Sequence, residues 1–420
     1  MFAIKRTLAV VIAPVCAVVA LAACGSSGGT SSGGASSSGA SVAAMVAPKV
    51  SAAELNAVLV DAYGSKVATS TLDPVSLLAA ETAAQPVTAQ EQAKLLQCYK
   101  ALGTCDLGRK GITIGIAEPN TKQSPLRQFS IADYLLQAIQ TPEIGKVIIT
   151  DGHGDLQATL ANFASLVNQH VAAIVGNFDF APSMGGVGKQ AEAAGIPVVS
   201  ISQPIPGLTL GKTQWTMGVD ACASGSGEAK AAIKAAGTAT GTIGLYTGPP
   251  GNSFGALWVP CAEKVAKAAG WTYTLGYTQW TPQGMEQAAS QLVASGKPLN
   301  AIVSDLALSP GFMNKLLGSG QPVPVTVGGS YTLQQVQLCL SSPKFRCIIG
   351  TSPSFVYRIA ITEAAMLADK EKTPASITLP QSYLTPAELV KTVDISKLPP
   401  TGQFNMVLSP ELQTALANAN

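Results

Sequence analysis

The chain has 420 residues, of which only 12% are charged, and its formal net charge is +2. Lys and Arg are balanced by Asp and Glu and form no basic stripe, so we expect no nucleic-acid partner. The length is sufficient for about two or three domains with full hydrophobic cores. The sequence has two histidines and no Cys-x-x-Cys motif, so we expect no metal site and no cofactor.

The N-terminus has the pattern of an export signal followed by a linker. Two basic residues precede an apolar run over residues 8–23, which is shorter than the roughly 20 apolar residues that span a bilayer. Residues 21–24, Leu-Ala-Ala-Cys, resemble the lipobox of bacterial lipoproteins. We therefore expect a signal peptide at 1–23, a lipidated Cys24 and a Gly/Ser linker at 24–44. These features predict an extracytoplasmic protein, periplasmic or on the cell surface, that is anchored to the membrane by lipid.

Six cysteines follow the linker, and an even number in an oxidising compartment favours disulfides. The sequence alone leaves their pairing open. We favour bonds between sequential neighbours, which would join Cys98 to Cys105, Cys222 to Cys261 and Cys339 to Cys347.

The remaining chain divides into a helical segment and two α/β halves. Residues 45–110 have a helical pattern that includes a capping box at 51–54, which predicts a helical N-terminal extension. From residue 111, β-branched runs alternate with Ala-rich helical stretches, and the alternation restarts at Thr242. This pattern predicts two Rossmann-like lobes, each a parallel sheet flanked by helices. The predicted strands are 112–116, 147–150, 172–175, 197–201 and 214–219 in the first half, and 242–246, 271–277, 301–303, 324–327 and 347–350 in the second.

The order of these motifs resembles that of type I periplasmic binding proteins, the group that includes ribose-binding proteins. The resemblance rests on residues 114–120, 147–155, 173–177, 195–202 and 218–220 of the first half, and on 241–248, 301–305, 325–329 and 348–351 of the second. It implies that the chain crosses between the lobes three times, near Val219, Thr351 and Gln381, through a three-stranded hinge. The implied domains are lobe 1 at 111–218 plus 352–380, lobe 2 at 219–351, and a C-terminal tail at 381–420.

The resemblance also implies a function. Such proteins close on a small solute and present the closed form to an ABC permease, so we expect a monomeric solute-binding protein of an ABC importer, with sugar transport as its role and no enzymatic activity. An alternative is a sensory lipoprotein that passes its closed state to a membrane receptor or kinase.

Ligands of open parallel sheets lie at the carboxyl ends of the strands, and this rule selects candidate ligand-binding residues. They are Asn120, Phe178, Asp179, Ser202, Gln203, Asn252, Phe254, Trp280, Asp305, Ser330 and Tyr331. Glu118, Asn177, Trp258 and Gln279 also follow strand ends. Aromatic faces and the side chains of Asn, Asp and Gln are the groups that hold a neutral polyol. By rough alignment with the family, Trp280 takes the place of the ring that covers the sugar, and Asp305 takes the place of an amide.

The chain departs from the sugar-binding pattern at several of these places. Ser202 and Gln203 replace an Asp-Arg pair, Leu126 and Arg127 replace an aromatic pair, and the Arg after the first strand of lobe 2 is missing. A bidentate Arg fork on two hydroxyls is therefore not expected. A small neutral solute that is less hydroxylated or partly apolar is thus a candidate beside a sugar.

Two motifs suggest other chemistry. Residues 251–255, Gly-Asn-Ser-Phe-Gly, match a nucleophile elbow, which makes a serine hydrolase that uses Ser253 a remote alternative. Both histidines precede Ser253, whereas that fold places its base after the serine, so we expect no catalytic residues. The acidic run at 151–155 is interpreted as a strand-to-helix turn in which Asp155 caps the next helix, and not as a metal site.

Overall fold

The computed structural model describes residues 47–201, 203–329, 331–351, 354–391, 395–404 and 406–419, which all belong to one compact unit of the chain. The predicted signal peptide, the linker and Cys24 lie outside the described residues. Of the helices in these ranges, none has both the length and the apolar character that crossing a bilayer requires.

Helices and strands alternate along most of the described chain. The helices are α1 (Ala52–Tyr63), α2 (Pro74–Ala83), α3 (Ala89–Ala101), α4 (Pro125–Gln140), α5 (Leu156–Asn168), α6 (Gly185–Ala193), α7 (Ala221–Ala236), α8 (Ser253–Ala268), α9 (Pro282–Ser295), α10 (Pro310–Gly318), α11 (Leu333–Ser341), α12 (Val356–Ala368), α13 (Pro386–Leu389) and α14 (Pro410–Ala417). The strands are β1 (Thr104–Asp106), β2 (Ile112–Glu118), β3 (Ile144–Asp151), β4 (Ala173–Asn177), β5 (Val198–Ile201), β6 (Gln214–Gly218), β7 (Thr242–Thr247), β8 (Thr272–Tyr277), β9 (Ala301–Ser304), β10 (Val325–Gly329), β11 (Cys347–Gly350), β12 (Ser376–Thr378) and β13 (Tyr383–Leu384).

The strands form two sheets, which confirms the predicted pair of α/β lobes. The sheet of lobe 1 has the order β1-β3-β2-β4-β5-β6-β12, and the sheet of lobe 2 has the order β13-β11-β10-β9-β7-β8. All neighbours are parallel except the edge strands β1 and β13, which are antiparallel to β3 and β11. Central strands such as β4 are buried along their whole length, as expected where helices cover both faces of a parallel sheet.

The chain passes between the two sheets in three hinge segments. The segments follow Gly218, Gly350 and Thr378, and they contain Val219, Thr351 and Gln381. Two of them are joined by hydrogen bonds, because the Thr351 backbone N–H donates to the Ser382 carbonyl at 2.8 Å and the Ser382 N–H donates to the Thr351 hydroxyl at 2.8 Å. The second and third hinge segments are therefore joined to each other.

The N-terminal helices cover the outer face of lobe 1. Helices α2 and α3 contact α4, α2 also contacts α12, and the core of lobe 1 extends into α1, α2 and α3. Because α4 and α12 are thereby covered on all sides, their polar side chains must be paired inside the protein. Arg358 donates to Asp133 at 2.9 Å and to the carbonyl of Val407 at 2.8 Å, and Gln137 donates to Thr362 at 2.9 Å.

Three disulfides join elements within the lobes. They are Cys98–Cys105, Cys222–Cys261 and Cys339–Cys347, the same neighbours that the sequence analysis pairs. The first connects α3 to β1, the second connects α7 to α8, and the third connects α11 to β11. Each crosslink is local to one lobe, so none of them restrains the hinge.

The C-terminal tail crosses between the lobes once more. Leu389, Leu398 and Phe404 belong to the core of lobe 2, whereas Met406 and Leu412 belong to the core of lobe 1. We call residues 400–404 and 406–408 the strap. The tail is thus a fourth connection between the lobes, which the resemblance to the family does not imply, and the domain boundaries given above stay predictions.

Candidate functional site

A cavity of about 140 Å³ lies between the lobes, at the carboxyl ends of the parallel strands. Lobe 1 contributes residues that follow β2, β4 and β5, and lobe 2 contributes residues that follow β7, β8 and β9. The topology produces this arrangement because the loops and helix N-termini of both sheets converge at one edge. The lining residues are Gln123, Ser124, Leu126, Arg127, Asn177, Phe178, Asp179, Ile201, Gln203, Gly218, Val219, Ser253, Phe254, Trp280, Asp305, Leu306, Ser354, Val356, Tyr357 and Leu379.

A buried cluster of charges forms the floor of the cleft in lobe 1. Arg127, in the first turn of α4, binds Glu118 through Nη1 and Asp179 through Nη2, each at 2.8 Å. The other oxygen of Glu118 accepts hydrogen bonds from Tyr134 Oη and Asn177 Nδ2, both at 2.9 Å. Each charge in this cluster therefore has a partner, as buried charges require.

Burial shifts the pKa values of the cluster. Burial raises the pKa of Glu118 and of Asp179, although the Arg127 guanidinium opposes both shifts. Burial also disfavours the charged form of Arg127, but the two carboxylates together outweigh it, so the pKa of Arg127 is raised and the guanidinium stays charged. The cluster thus offers a fixed cation beside carboxyl groups that protonate more readily than usual.

In lobe 2, Asp305 and Trp280 form a hydrogen-bonded pair. Trp280 Nε1 donates to Asp305 Oδ1 at 2.9 Å, and the Thr247 hydroxyl donates to the other oxygen. Burial raises the pKa of Asp305 to about 6, although these hydrogen bonds favour the ionised form. The pair holds the indole ring in one orientation at the cleft.

The backbone beside Trp280 is strained. Gln279 and Trp280 have φ values of 55° and 52°, in the left-handed region that residues with a side chain rarely adopt. The Trp280 ring also lies against the backbone of Gly248, where a β-carbon would overlap the ring. Strain of this kind persists only where the surrounding structure enforces it, and it concentrates at ligand-binding sites.

The two lobes touch each other across the cleft. Gln123 Nε2 of lobe 1 donates to the carbonyl of Gln279 at 3.3 Å, and the Ser253 hydroxyl of lobe 2 donates to the carbonyl of Phe178 at 3.4 Å. Ser253 is therefore bonded to main-chain oxygen, and it begins helix α8.

The predicted ligand-binding residues fall into three groups. Those that line the cleft are Phe178, Asp179, Gln203, Phe254, Trp280 and Asp305. Those placed elsewhere are Asn120 and Asn252, which line a neighbouring surface pocket, and Tyr331, which is buried in the core of lobe 2. Asn252 caps α8 by accepting from the Gly255 N–H at 2.6 Å. Ser202 and Ser330 lie outside the described residues.

The structure adds cleft residues that the sequence analysis does not select. Arg127 and Gln123 come from the loop and first turn that lead into α4, and Tyr357 comes from α12, after the second hinge segment. The Ser-Pro pair at 124–125 marks the start of α4 and could have indicated that Arg127 faces the cleft. Arg127 places a guanidinium at the cleft from a position where the family has an aromatic residue, but its Nη1 and Nη2 atoms bind Glu118 and Asp179. The expectation that no bidentate Arg fork binds two hydroxyls therefore stays a prediction.

The acidic run after β3 has the predicted capping role. Asp155 accepts a hydrogen bond from the Ala158 N–H at 2.7 Å at the start of α5. Asp151 binds the Thr121 hydroxyl and the backbone N–H of His153. Within the described ranges, no three or more His, Cys, Asp or Glu side chains are grouped so that they could hold a metal ion.

Comparison with known proteins identifies the fold and the family. A family model described as periplasmic binding protein domain matches residues 132–372. An ABC transporter solute-binding protein from Mycobacterium smegmatis with bound glycerol has a TM-score of 0.60 at 18% identity, covering 67% of this chain and 96% of its own. A second Mycobacterium smegmatis structure, in complex with β-D-fucofuranose, has a TM-score of 0.61 at 16% identity and covers 74% and 97%.

A third structure, a solute-binding protein from Bacillus halodurans with bound myo-inositol, has a TM-score of 0.59 at 16% identity and covers 68% of this chain and 98% of its own. The search of curated proteins gave no match. The family match spans more than half of the chain, so the chain belongs to the periplasmic binding protein family and is a two-lobed binding protein, not an enzyme.

Proposed function

We propose that the protein captures a small, neutral, sugar-like or partly apolar solute between its lobes and delivers it to an ABC importer. In this proposal the protein works outside the cytoplasm, anchored to the membrane through lipid on Cys24. The observation that carries the proposal is the cleft, in which Trp280 and Asp305 of lobe 2 share the lining with Arg127 and Asp179 of lobe 1.

The chemistry of the cleft suits hydroxyl groups. A hydroxyl both donates and accepts, so one polyol can meet the carboxyl oxygens of Asp179 and Asp305 and the amides of Asn177 and Gln203. The indole of Trp280 offers a flat apolar surface to C–H groups. An anionic solute would face buried carboxyl groups, and the Arg127 guanidinium already has two partners, so a neutral solute is favoured.

The structural relatives support the same class of ligand. Glycerol, β-D-fucofuranose and myo-inositol are the molecules bound to the three proteins described above, and all three are neutral polyols or sugars. Those proteins share the fold at 16–18% identity. We infer from them the class of solute, and not the individual compound.

Calorimetric titration tests the binding proposal. The protein is titrated with glycerol, myo-inositol, D-allose and D-fucose, with glycine and acetate as charged controls. We expect at least one polyol or sugar to bind, and Asp305→Asn to weaken it about 10- to 100-fold, because a charge-assisted hydrogen bond contributes about 1.5–3 kcal/mol. The control Asp106→Asn changes an exposed carboxylate on β1, outside the cleft, and is expected to bind normally. Binding of the charged controls alone would contradict the proposal.

Anchoring and delivery need separate measurements. Cys24→Ala is expected to move the protein from the membrane fraction to the soluble fraction, and mass spectrometry of the wild-type N-terminal peptide is expected to show a diacylglyceryl group. Uptake of the labelled solute by cells is expected to require the protein. Uptake that is unchanged in a deletion strain that still carries the permease would instead favour the sensory alternative.

A further inference from the structure

A second chamber, of about 320 Å³, lies beside the cleft. Ser124, Leu126, Trp280 and Leu306 line both spaces. The chamber therefore adjoins the cleft, and the strained Trp280 is one of the side chains that lie between them.

The strap forms a fixed wall of this chamber, since Thr401 and Gln403 line it. The first backbone N–H groups of α11 donate to the strap: Leu333 to the Gly402 carbonyl at 2.9 Å and Gln334 to the Pro400 carbonyl at 3.0 Å. These are the donors that a helix N-terminus leaves without partners inside the helix. The strap thus accepts hydrogen bonds from the N–H groups at the start of α11, and the same bonds hold the strap in place.

The strap is fixed from its other side by α14. The backbone N–H of Gln403 donates to Gln413 Oε1 at 2.9 Å, and Gln413 Nε2 donates to the Gln403 carbonyl at 3.3 Å. The wall of the chamber is therefore built before any ligand arrives, which lowers the ordering cost of binding there.

One polar atom in this wall lacks a partner. The side chain of Gln403 is 3% exposed, and its Oε1 atom accepts no hydrogen bond from the described residues. A buried acceptor without a donor costs about 1–3 kcal/mol, so such an atom in a native structure requires an explanation. Less than 1 Å² of this atom is exposed, so a hydroxyl or N–H donor of a bound molecule would supply the missing bond once the side chain of Gln403 turns toward the chamber.

Apart from Glu286, the residues that line the chamber are apolar or uncharged. Pro125, Leu126, Met285 and Leu306 contribute to its surface, and no Lys, Arg or His is among the described residues that line it. The carboxylate of Glu286 lies over Gly311 at the N-terminus of α10, where a β-carbon would overlap it. Since a carboxylate already occupies this electropositive helix end, the chamber disfavours anions.

We propose that the chamber is a second subsite, which binds the apolar end of an elongated neutral ligand and offers it no cationic side chain. The hydroxylated end of the same ligand lies in the cleft, and a donor on its apolar end binds Gln403 Oε1. The ligand class is an aryl or alkyl glycoside. This inference rests on the proposed function, because it assigns a longer solute to the same cleft.

Paired glycosides test the inference by calorimetric titration of the whole exported protein. The probes are the methyl, phenyl and 4-hydroxyphenyl glycosides of glucose, galactose and fucose. For the sugar that binds, we expect the phenyl glycoside to bind about 10-fold more tightly than the methyl glycoside, because burial of a ring contributes about 1.5–3 kcal/mol. The 4-hydroxyphenyl glycoside is expected to bind more tightly still, because its hydroxyl donates to Gln403.

Two variants separate specific binding in the chamber from nonspecific hydrophobic binding of the aryl ring. Ala307→Phe fills the chamber, so the ratio of the methyl to the phenyl dissociation constant is expected to fall to about one. Gln403→Leu removes the acceptor, so the advantage of 4-hydroxyphenyl over phenyl is expected to disappear while the folding stability is retained.

The outcomes distinguish this inference from the proposed function. If methyl glycosides or free polyols bind and the aryl glycosides bind no more tightly, the second subsite is overturned and the proposed function stands. If Ala307→Phe still binds the phenyl glycoside more tightly than the methyl glycoside, the ring lies elsewhere and the second subsite is overturned. If no glycoside and no free polyol binds, both proposals fail together.

Discussion

Replacing Glu228 by Gln is expected to abolish a pH-dependent part of the folding stability. Glu228 lies on α7 close to the hinge and is 1% exposed. Its carboxyl oxygens accept hydrogen bonds from Trp258 Nε1 at 2.8 Å, from Ser224 Oγ at 3.2 Å and from Gln381 Nε2 at 3.4 Å. These partners are neutral, and no ion pair of Glu228 is found among the described residues.

Burial without a cation raises the pKa of Glu228 from its ordinary value of 4.5 to about 8. The folded protein therefore holds this proton more tightly than the unfolded chain does. The resulting stability is fully present below pH 4.5 and is lost as the pH rises toward 8. Since a tenfold change in proton affinity corresponds to about 1.4 kcal/mol, the loss across this window is on the order of 5 kcal/mol.

Urea unfolding at several pH values between 4.5 and 9 measures this effect. Glu228→Gln stays neutral, so its free energy of unfolding is expected to match that of the wild type near pH 4.5 and to exceed it by several kcal/mol at pH 9. The control Asp106→Asn neutralises an exposed carboxylate on β1 and is expected to follow the wild-type curve. Parallel curves for the wild type and Glu228→Gln would refute the reasoning.

Three further changes test other parts of the structure. Arg127→Met leaves two buried carboxyl groups without their cation and is expected to lower the free energy of unfolding by about 3–5 kcal/mol in urea titration at pH 7. Loss of the Cys222–Cys261 disulfide by double Ser substitution opens a loop with a sequence separation of 39 and is expected to cost about 4 kcal/mol in the same assay. Gly248→Ala pushes the ring of Trp280 out of place and is expected to weaken ligand binding at least about 10-fold in calorimetry, with little change in melting temperature.

Each of these changes has a matched control. Arg127→Lys keeps the charge and is expected to lose less stability than Arg127→Met, so equal losses would mean that charge is not the cause. Double Ser substitution of the Cys98–Cys105 pair opens a shorter loop and is expected to cost less than the larger loop does. Gly318→Ala, at the end of α10 in the same lobe, has open space around a β-carbon and no positive φ, so weakened ligand binding in this variant as well would contradict the explanation for Gly248.

Periodicity in the sequence predicts the two lobes because each lobe repeats one local unit. A buried parallel strand needs a run of apolar, β-branched residues, and the run at 173–175 forms the core of β4. Helix-capping signals are equally local. The structure contains both the predicted capping box at 51–54 and the predicted N-cap at Asp155. Features that depend on neighbours within a few residues could therefore be predicted from the sequence.

Residues of the site could be predicted only where they follow a strand directly. Phe178, Asp179, Trp280 and Asp305 obey the rule that loops at the carboxyl ends of strands form the site. Arg127 is harder to select because it lies two residues into a helix, and its role depends on two acids that are distant from it in the sequence, Glu118 at the end of β2 and Asp179 just after β4. Tyr331 illustrates the opposite case: it follows β10, but its ring turns into the core.

The strap could not be predicted because its contacts join parts of the chain that are far apart in sequence. It also limits how far the two lobes can separate. Phe404 is anchored in lobe 2 and Met406 in lobe 1, and the Val407 carbonyl is also held by Arg358. Two residues of fully extended chain span about 7 Å at most, so these anchors cannot separate further without breaking one of them. Release of Phe404 or Met406 would expose a buried side chain at a cost of about 1.5–3 kcal/mol. We therefore expect the lobes to open by rotating about the strap, with both anchors and the wall of the second chamber kept in place.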